Sequence, residues 1–160
     1  MGVLFIKIGI IVHSQTNNTY SVAQKLQEKL QEMGNDVEIK KVSMVGGDIP
    51  KNKKDIQIED PPEISGYDAL IFAAPVHAFS LAPAMQVYLK QISSLEDKKV
   101  ALFVTKGLPF NFTGGTRAIG QMKKICKSKG GKIVGTDIVI WRGDVERNIH
   151  ELIRNFSVLF

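Results

Sequence analysis

Seven consecutive polar residues, HSQTNNT (13–19), carry more hydrogen-bonding groups than a simple turn requires. Ser14, Thr16 and Thr19 offer hydroxyls, and Gln15, Asn17 and Asn18 offer amides. They stand between the apolar run VLFIKIGIIV (3–12) and a stretch with helical spacing, YSVAQKLQEKL (20–30). A helix start leaves backbone N–H groups unpaired, and both those donors and the helix dipole favour an anion. One Ser, Thr or Asn is enough to cap a helix, so the rest of the loop points to a ligand. With no lysine or arginine between residues 13 and 19, a phosphate there is held by neutral donors. The chain has neither the GxxxxGK[ST] loop of nucleotide triphosphatases nor the GxGxxG dinucleotide fingerprint. His13 and Ser14 follow the apolar run where a receiver domain needs an acidic pair. The loop also lacks the cysteine and arginine of a low-molecular-weight phosphatase.

The elements that must position this loop follow from periodicity. Val3–Val12 reads as a strand buried on both faces. Val22, Leu26, Leu30 and Met33 recur at helical spacing, and Gly34 with Asn35 stops the helix. Asp36–Val42 alternates as a second strand. Residues 43–66, with three glycines, three prolines and no sustained period, read as a long loop with room for one short helix. Ala69–Ala74 and Val100–Thr105 are strands, as is Lys132–Trp141. Pro83–Ile92, Thr116–Lys129 and a segment carrying Val145, Ile149, Leu152 and Phe156 are helices. This alternation predicts an α/β fold, a five-stranded parallel sheet covered by helices on both faces. Ligands of such folds sit beyond the carboxyl ends of the strands. There HSQTNNT, APVHAFS (74–80) and TKGLPFNFTGG (105–115) would converge.

Length and composition set the frame. A chain of 160 residues fits one domain spanning 1–160, with enough length for a real core. The single cysteine, Cys126, excludes an internal disulfide framework and a multi-cysteine zinc site. That suits a reducing cytoplasm, and Cys126 reads as an inert buried thiol. The apolar N-terminal run is too short to span a bilayer and contains Lys7, so no membrane insertion is expected. The net charge of +5 is uneven: residues 1–96 sum to −2 and residues 97–160 to +7. The excess, much of it in Lys123, Lys124, Lys127, Lys129 and Lys132, reads first as a solvated helix face. Its sharper alternatives are an acidic partner protein or an anionic substrate. No aromatic residues interleave with these lysines, which argues against nucleic acid.

Residues 10–26, IIVHSQTNNTYSVAQKL, resemble the flavodoxin signature, with Ser14, Thr19, Ala23 and Leu26 at matching positions. Val12 stands where an aromatic is usual, and Asn17 where glycine is. Asparagine is among the few non-glycine residues that tolerate a left-handed conformation, so the turn can still form. YDALIFAAPVHAFSLAPAMQVYLKQI (67–92) and TKGLPFNFTGGTRA (105–118) are similar to the strand and the two flavin loops that complete a flavodoxin-like site. The resemblance implies a flavodoxin-like three-layer sandwich of strand order 2-1-3-4-5 with bound FMN. Its phosphate would lie in Ser14, Gln15, Thr16, Asn17, Asn18 and Thr19. Its isoalloxazine would lie between Pro75, Val76, His77, Ala78 and Phe79 on one side and Thr105, Lys106, Gly107, Phe110 and Gly114 on the other. Aromatic stacking there adds roughly 0.5–1.5 kcal/mol beyond area burial. His77, Phe79, Phe110 and Phe112 are the candidates, with Phe79 and Phe110 alternatively in the core. His13 reads as a strand-end residue and Trp141 as packing. No second metal-ligating residue neighbours His77, so no metal is expected.

The cofactor would do the redox chemistry, so no acid–base pair is required and no catalytic residue is assigned. Three functions remain open. The first is a flavodoxin-like, FMN-binding electron carrier working between protein partners. The second is an NAD(P)H-dependent FMN or quinone oxidoreductase passing electrons to a small-molecule acceptor. The third is a binding module of this fold that has lost FMN, to which Val12 and Asn17 lend support. Carrier flavodoxins are typically acidic, whereas this chain is basic and has Lys106 in its third loop. A cation there stabilises a reduced, anionic flavin, so the expected potential is less negative than that of a low-potential flavodoxin.

Overall fold

The computed structural model of the chain describes residues 5–47, 55–108 and 114–160. The first apolar run forms strand β1 (Lys7–Val12), buried from Ile8 onward because it lies inside the sheet with helices over both faces. β2 (Asp36–Lys41), β5 (Ala69–His77), β7 (Lys99–Lys106) and β8 (Lys132–Ile140) run parallel to it in the order β2-β1-β5-β7-β8. This is the flavodoxin-like order expected, with β1 flanked by β2 and β5. Among the described residues, three two-residue strands complete the set. β3 (Ser43–Met44) pairs antiparallel with β4 (Ile58–Glu59), and β6 (Ser80–Leu81) folds back on β5.

Helices α1 (Asn18–Glu32) and α4 (Val145–Ser157) cover one face of the sheet, α2 (Pro83–Gln91) and α3 (Gly115–Ser128) the other. On the first face, Leu26, Leu30, Leu152 and Phe156 pack on Ile10, Ile71 and Phe103. The Phe103 and Phe156 rings meet edge-on at 6.1 Å. On the second, Met85, Leu89, Ile119 and Met122 pack on Phe72 and Leu102. Each fully buried side chain of this size contributes roughly 1.5–3 kcal/mol. Local chemistry sets the helix ends. Pro83 opens α2, where a missing N–H costs nothing, and the Asp144 carboxylate accepts the Arg147 N–H at 3.1 Å to cap α4.

Two strands run further than periodicity predicts. β5 continues past Ala74 through Pro75, Val76 and His77, because β6 supplies partners for its last two residues. β7 begins at Lys99 and continues to Lys106, whose carbonyl accepts the Trp141 N–H at 2.7 Å. Within 43–66, expected as a loop, the described residues include the β3–β4 ribbon. The lysine excess gathers at the opposite end of the sheet from the site loops. Lys99 and Lys132 are direct cross-strand neighbours there, and the Lys129 ammonium donates to the Lys90 carbonyl at 3.0 Å. Among the described residues, no helix is long and apolar enough to cross a membrane, and no cluster of His, Cys, Asp or Glu could hold a metal.

Candidate functional site

Loop 1 leaves β1 at His13 and enters α1 at Asn18, so Asn18 and Thr19 lie in the first helical turn. Asn17 precedes it at φ 68°, ψ −2°, the left-handed conformation that its side chain tolerates. The amide of Asn17 makes no capping bond. The cap comes instead from Ser14, whose Oγ accepts the Tyr20 N–H at 3.3 Å. Gln15 and Thr16 are exposed at the loop tip. His13 is buried, 1% exposed, and its Nδ1 lies 2.8 Å from the Val42 carbonyl oxygen. A carbonyl only accepts, so Nδ1 carries the proton; Nε2 is buried with no partner among the described residues.

The second loop is a β-hairpin, not an open loop. Val76 pairs with Leu81 and His77 with Ser80, leaving Ala78 and Phe79 as the turn. Both have positive φ, 49° and 62°. A two-residue hairpin turn with both φ values positive ordinarily takes Asn-Gly or Gly-Gly, and a side chain held there costs of order 1–3 kcal/mol. What the strain achieves is display: Phe79, expected either against a flavin or in the core, is 57% exposed. Gln121 of α3 holds the hairpin in place. Its Oε1 accepts the Leu81 N–H at 2.8 Å and the Ser80 hydroxyl at 3.0 Å. Sequence reasoning passed over Gln121, since a polar residue on a helix reads as a solvated face.

At the end of β7, Thr105 and Lys106 are strand residues rather than loop residues. The Thr105 and Thr19 hydroxyls meet at 2.7 Å, both buried, tying the first turn of α1 to the end of β7. Lys106 is 6% exposed, and burial pushes its ammonium below the usual lysine range. Its Cδ lies 3.2 Å from where a Cβ on Gly115 would stand. Gly107 and Leu108 turn outward and are exposed. Phe110 and Phe112 lie outside the described residues. Gly114, at φ 111°, opens α3. A Cβ there would stand 2.6 Å from the Phe79 Cα and 2.7 Å from the Val76 Cγ1. The start of α3 and the hairpin therefore lie back to back at Gly114. Loop 1, the hairpin and the end of β7 thus meet at one edge of the sheet, linked by Thr19–Thr105, Gly114–Phe79 and Gln121.

The model of the NADPH-dependent FMN reductase family matches residues 6–144. The chain belongs to that family. Membership of the FMN reductase family agrees with the solved structures of similar fold. A flavodoxin 2 from Bacillus cereus is 20% identical, with a TM-score of 0.68 and 96% of each chain covered. Megasphaera elsdenii flavodoxin is 19% identical, with a TM-score of 0.68 over 94% of this chain and 98% of that one. A flavoprotein from Lactobacillus acidophilus, solved in complex with FMN, is 17% identical, with a TM-score of 0.62 over 83% of this chain and 93% of that one. No curated protein matches the chain in sequence. In this FMN reductase family chain, Cys126 lies in the core with Met122 and Leu102. It is on the buried face of α3, and burial pushes its thiol up to about 12, so it stays protonated.

Proposed function

We infer that this chain is an FMN-binding redox protein. One observation carries the reading: a strained turn displays an aromatic ring on the sheet edge where the left-handed Asn17 turn opens α1. In the protein alone, strain at Ala78–Phe79 stabilises nothing, whereas a flat aromatic ligand would bury the ring that the turn exposes. At the other end, the first turn of a fifteen-residue helix offers the donors that suit a phosphate. The backbone N–H groups of Ser14–Thr19 would hold that phosphate, with the Ser14 and Thr16 hydroxyls beside them and Gln15 at the loop tip. Pro75–Phe79, Thr105–Gly107 and Gly114 would form the walls around the ring. FMN, when bound, supplies the one- and two-electron chemistry; the residues of the chain bind it, orient it and exclude water from it.

Membership of an NADPH-dependent family favours direct reduction by NADPH over reduction by a partner protein. One sample separates the two. The purified protein is expected to be yellow, or to turn yellow and quench flavin fluorescence when FMN is added. If it then consumes NADPH in the presence of a quinone, the reductase reading stands. Reduction only by a flavodoxin reductase would make it a carrier, and an FMN titration without saturation would end both readings. With buried Lys106 near the ring, the second electron step should be less negative than in an acidic, low-potential flavodoxin. A spectroelectrochemical titration giving a strongly negative second step would refute that.

Asn17 supplies a direct test of the cradle. The residue already occupies the left-handed region that glycine would adopt, so Asn17→Gly should bind FMN within about twofold of the parent. Asn17→Ala should lose roughly 1–2 kcal/mol, a weakening of about fivefold or more in a fluorescence titration. A glycine variant binding tenfold tighter would show that Asn17 compromises the loop.

A further inference from the structure

The sequence places no cation between residues 13 and 19, but the fold brings one there. β2 ends at Lys41, paired in register with Val12 at the end of β1. The Lys41 ammonium lies 4.3 Å from the ring centroid of Tyr20, in the first turn of α1. Between them, loop 1 and the β2–β3 junction enclose a cleft of about 190 Å³, lined chiefly by Ser14, Asn17, Tyr20, Lys41 and Ser43. At about 30 Å³ per water, that volume holds roughly six waters, or one tetrahedral oxyanion with part of its hydration.

The lining is chemically one-sided. Among the described residues, no carboxylate lies within 4.0 Å of Lys41, so its charge is steered by the Tyr20 ring but not neutralised. The Ser14 oxygen is engaged as an acceptor, which leaves its proton to donate. The Ser14 and Ser43 side chains and the Lys41 ammonium thus share one small space, and among the described residues no acidic side chain lines it. Such a set of donors fits an anion.

We propose that this cleft is an oxyanion site for a phosphate monoester, with Lys41 as its counter-charge. The proposal rests on the FMN reading for one of two sources of that phosphate, the 5′-phosphate of FMN itself. The other source is a separate phosphate-bearing ligand seated on the β2 side of loop 1.

The test compares FMN with riboflavin, which lacks the phosphate, on the parent protein and on Lys41→Gln and Lys41→Arg. Lys41→Gln should weaken FMN at least fivefold at low salt, leave riboflavin unchanged and lose the difference at high salt. Lys41→Arg should recover most of the affinity. Inorganic phosphate, added to the FMN-loaded protein while the amide signals of Ser14, Asn17 and Ser43 are followed by NMR, tests the second source. If FMN affinity ignores Lys41 but phosphate shifts those signals in the parent and not in Lys41→Gln, the cleft holds a separate anion. If FMN affinity ignores Lys41 and phosphate shifts nothing, the cleft is not an anion site. If the parent binds no FMN, the functional reading falls alone, and the phosphate titration on the free protein decides the cleft.

Discussion

Replacing Gly114 with alanine should cost the protein about 2–5 kcal/mol and lower FMN affinity at least tenfold. The two costs have one origin. Gly114 sits at φ 111°, where a side chain is strained whatever the space around it. Its new Cβ would also stand 2.6 Å and 2.7 Å from the Phe79 Cα and carbonyl carbon. Those are backbone atoms of an already strained turn, so relief means moving the hairpin that presents Phe79. A fall in Tm of at least roughly 5 °C should accompany the change. Gly120→Ala is the control in the same helix, since nothing lies within 4 Å of its added Cβ. That substitution should stabilise by roughly 0.5–1 kcal/mol, as alanine does in a helix interior. If Gly114→Ala melted with the parent and bound FMN equally well, the close packing of Gly114 on the hairpin would not shape the site.

Thr19→Val should destabilise the FMN-free protein by about 1–3 kcal/mol, although valine has nearly the shape of threonine. The loss comes from Thr105, whose buried hydroxyl keeps its desolvation cost and loses its 2.7 Å partner. The double variant Thr19→Val/Thr105→Val leaves neither hydroxyl unpaired, so it should be more stable than the two single losses together imply. A double-mutant cycle by urea unfolding measures that coupling. Additivity within about 0.3–0.5 kcal/mol would mean the pair does not tie α1 to β7. Read on the FMN-free protein, this result separates a structural bond from any contact that Thr19 makes with phosphate.

How far the sequence carries can be judged at particular residues. The five long strands were legible because a parallel sheet buried on both faces writes continuous apolar runs, as at Ile8–Val12 and Ala69–Ala74. Strand order came from family resemblance, and the left-handed turn at Asn17 from the tolerance of asparagine for that conformation. The hairpin was not legible, because Ala-Phe is not a dipeptide that signals a primed turn. Tertiary packing against Gly114 and the Gln121 bonds impose that turn, and local propensity is overridden. Lys41 and Gln121 stayed hidden for a similar reason. Each is a polar residue on an element that otherwise looks solvent-facing, and what it touches lies 21 and 41 residues away in the chain. A pairing signal between Gln121 and Ser80 would have been needed to find the second contact.

The Thr19–Thr105 bond closes over 86 residues, and the Gln121 clamp on Ser80 over 41. At a synthesis rate of about 5–20 residues per second, roughly 4–17 s pass between the making of Thr19 and of its partner. The segment that opens the site thus leaves the ribosome before the residues that seat it. The residues that seat it, Thr105 and Gln121, follow later in the chain. Until then the nascent chain carries loop 1 without the strand end that fixes α1, and the hairpin without its clamp. Cofactor capture would accordingly wait for β7 and α3 rather than for the loop that would grip the phosphate.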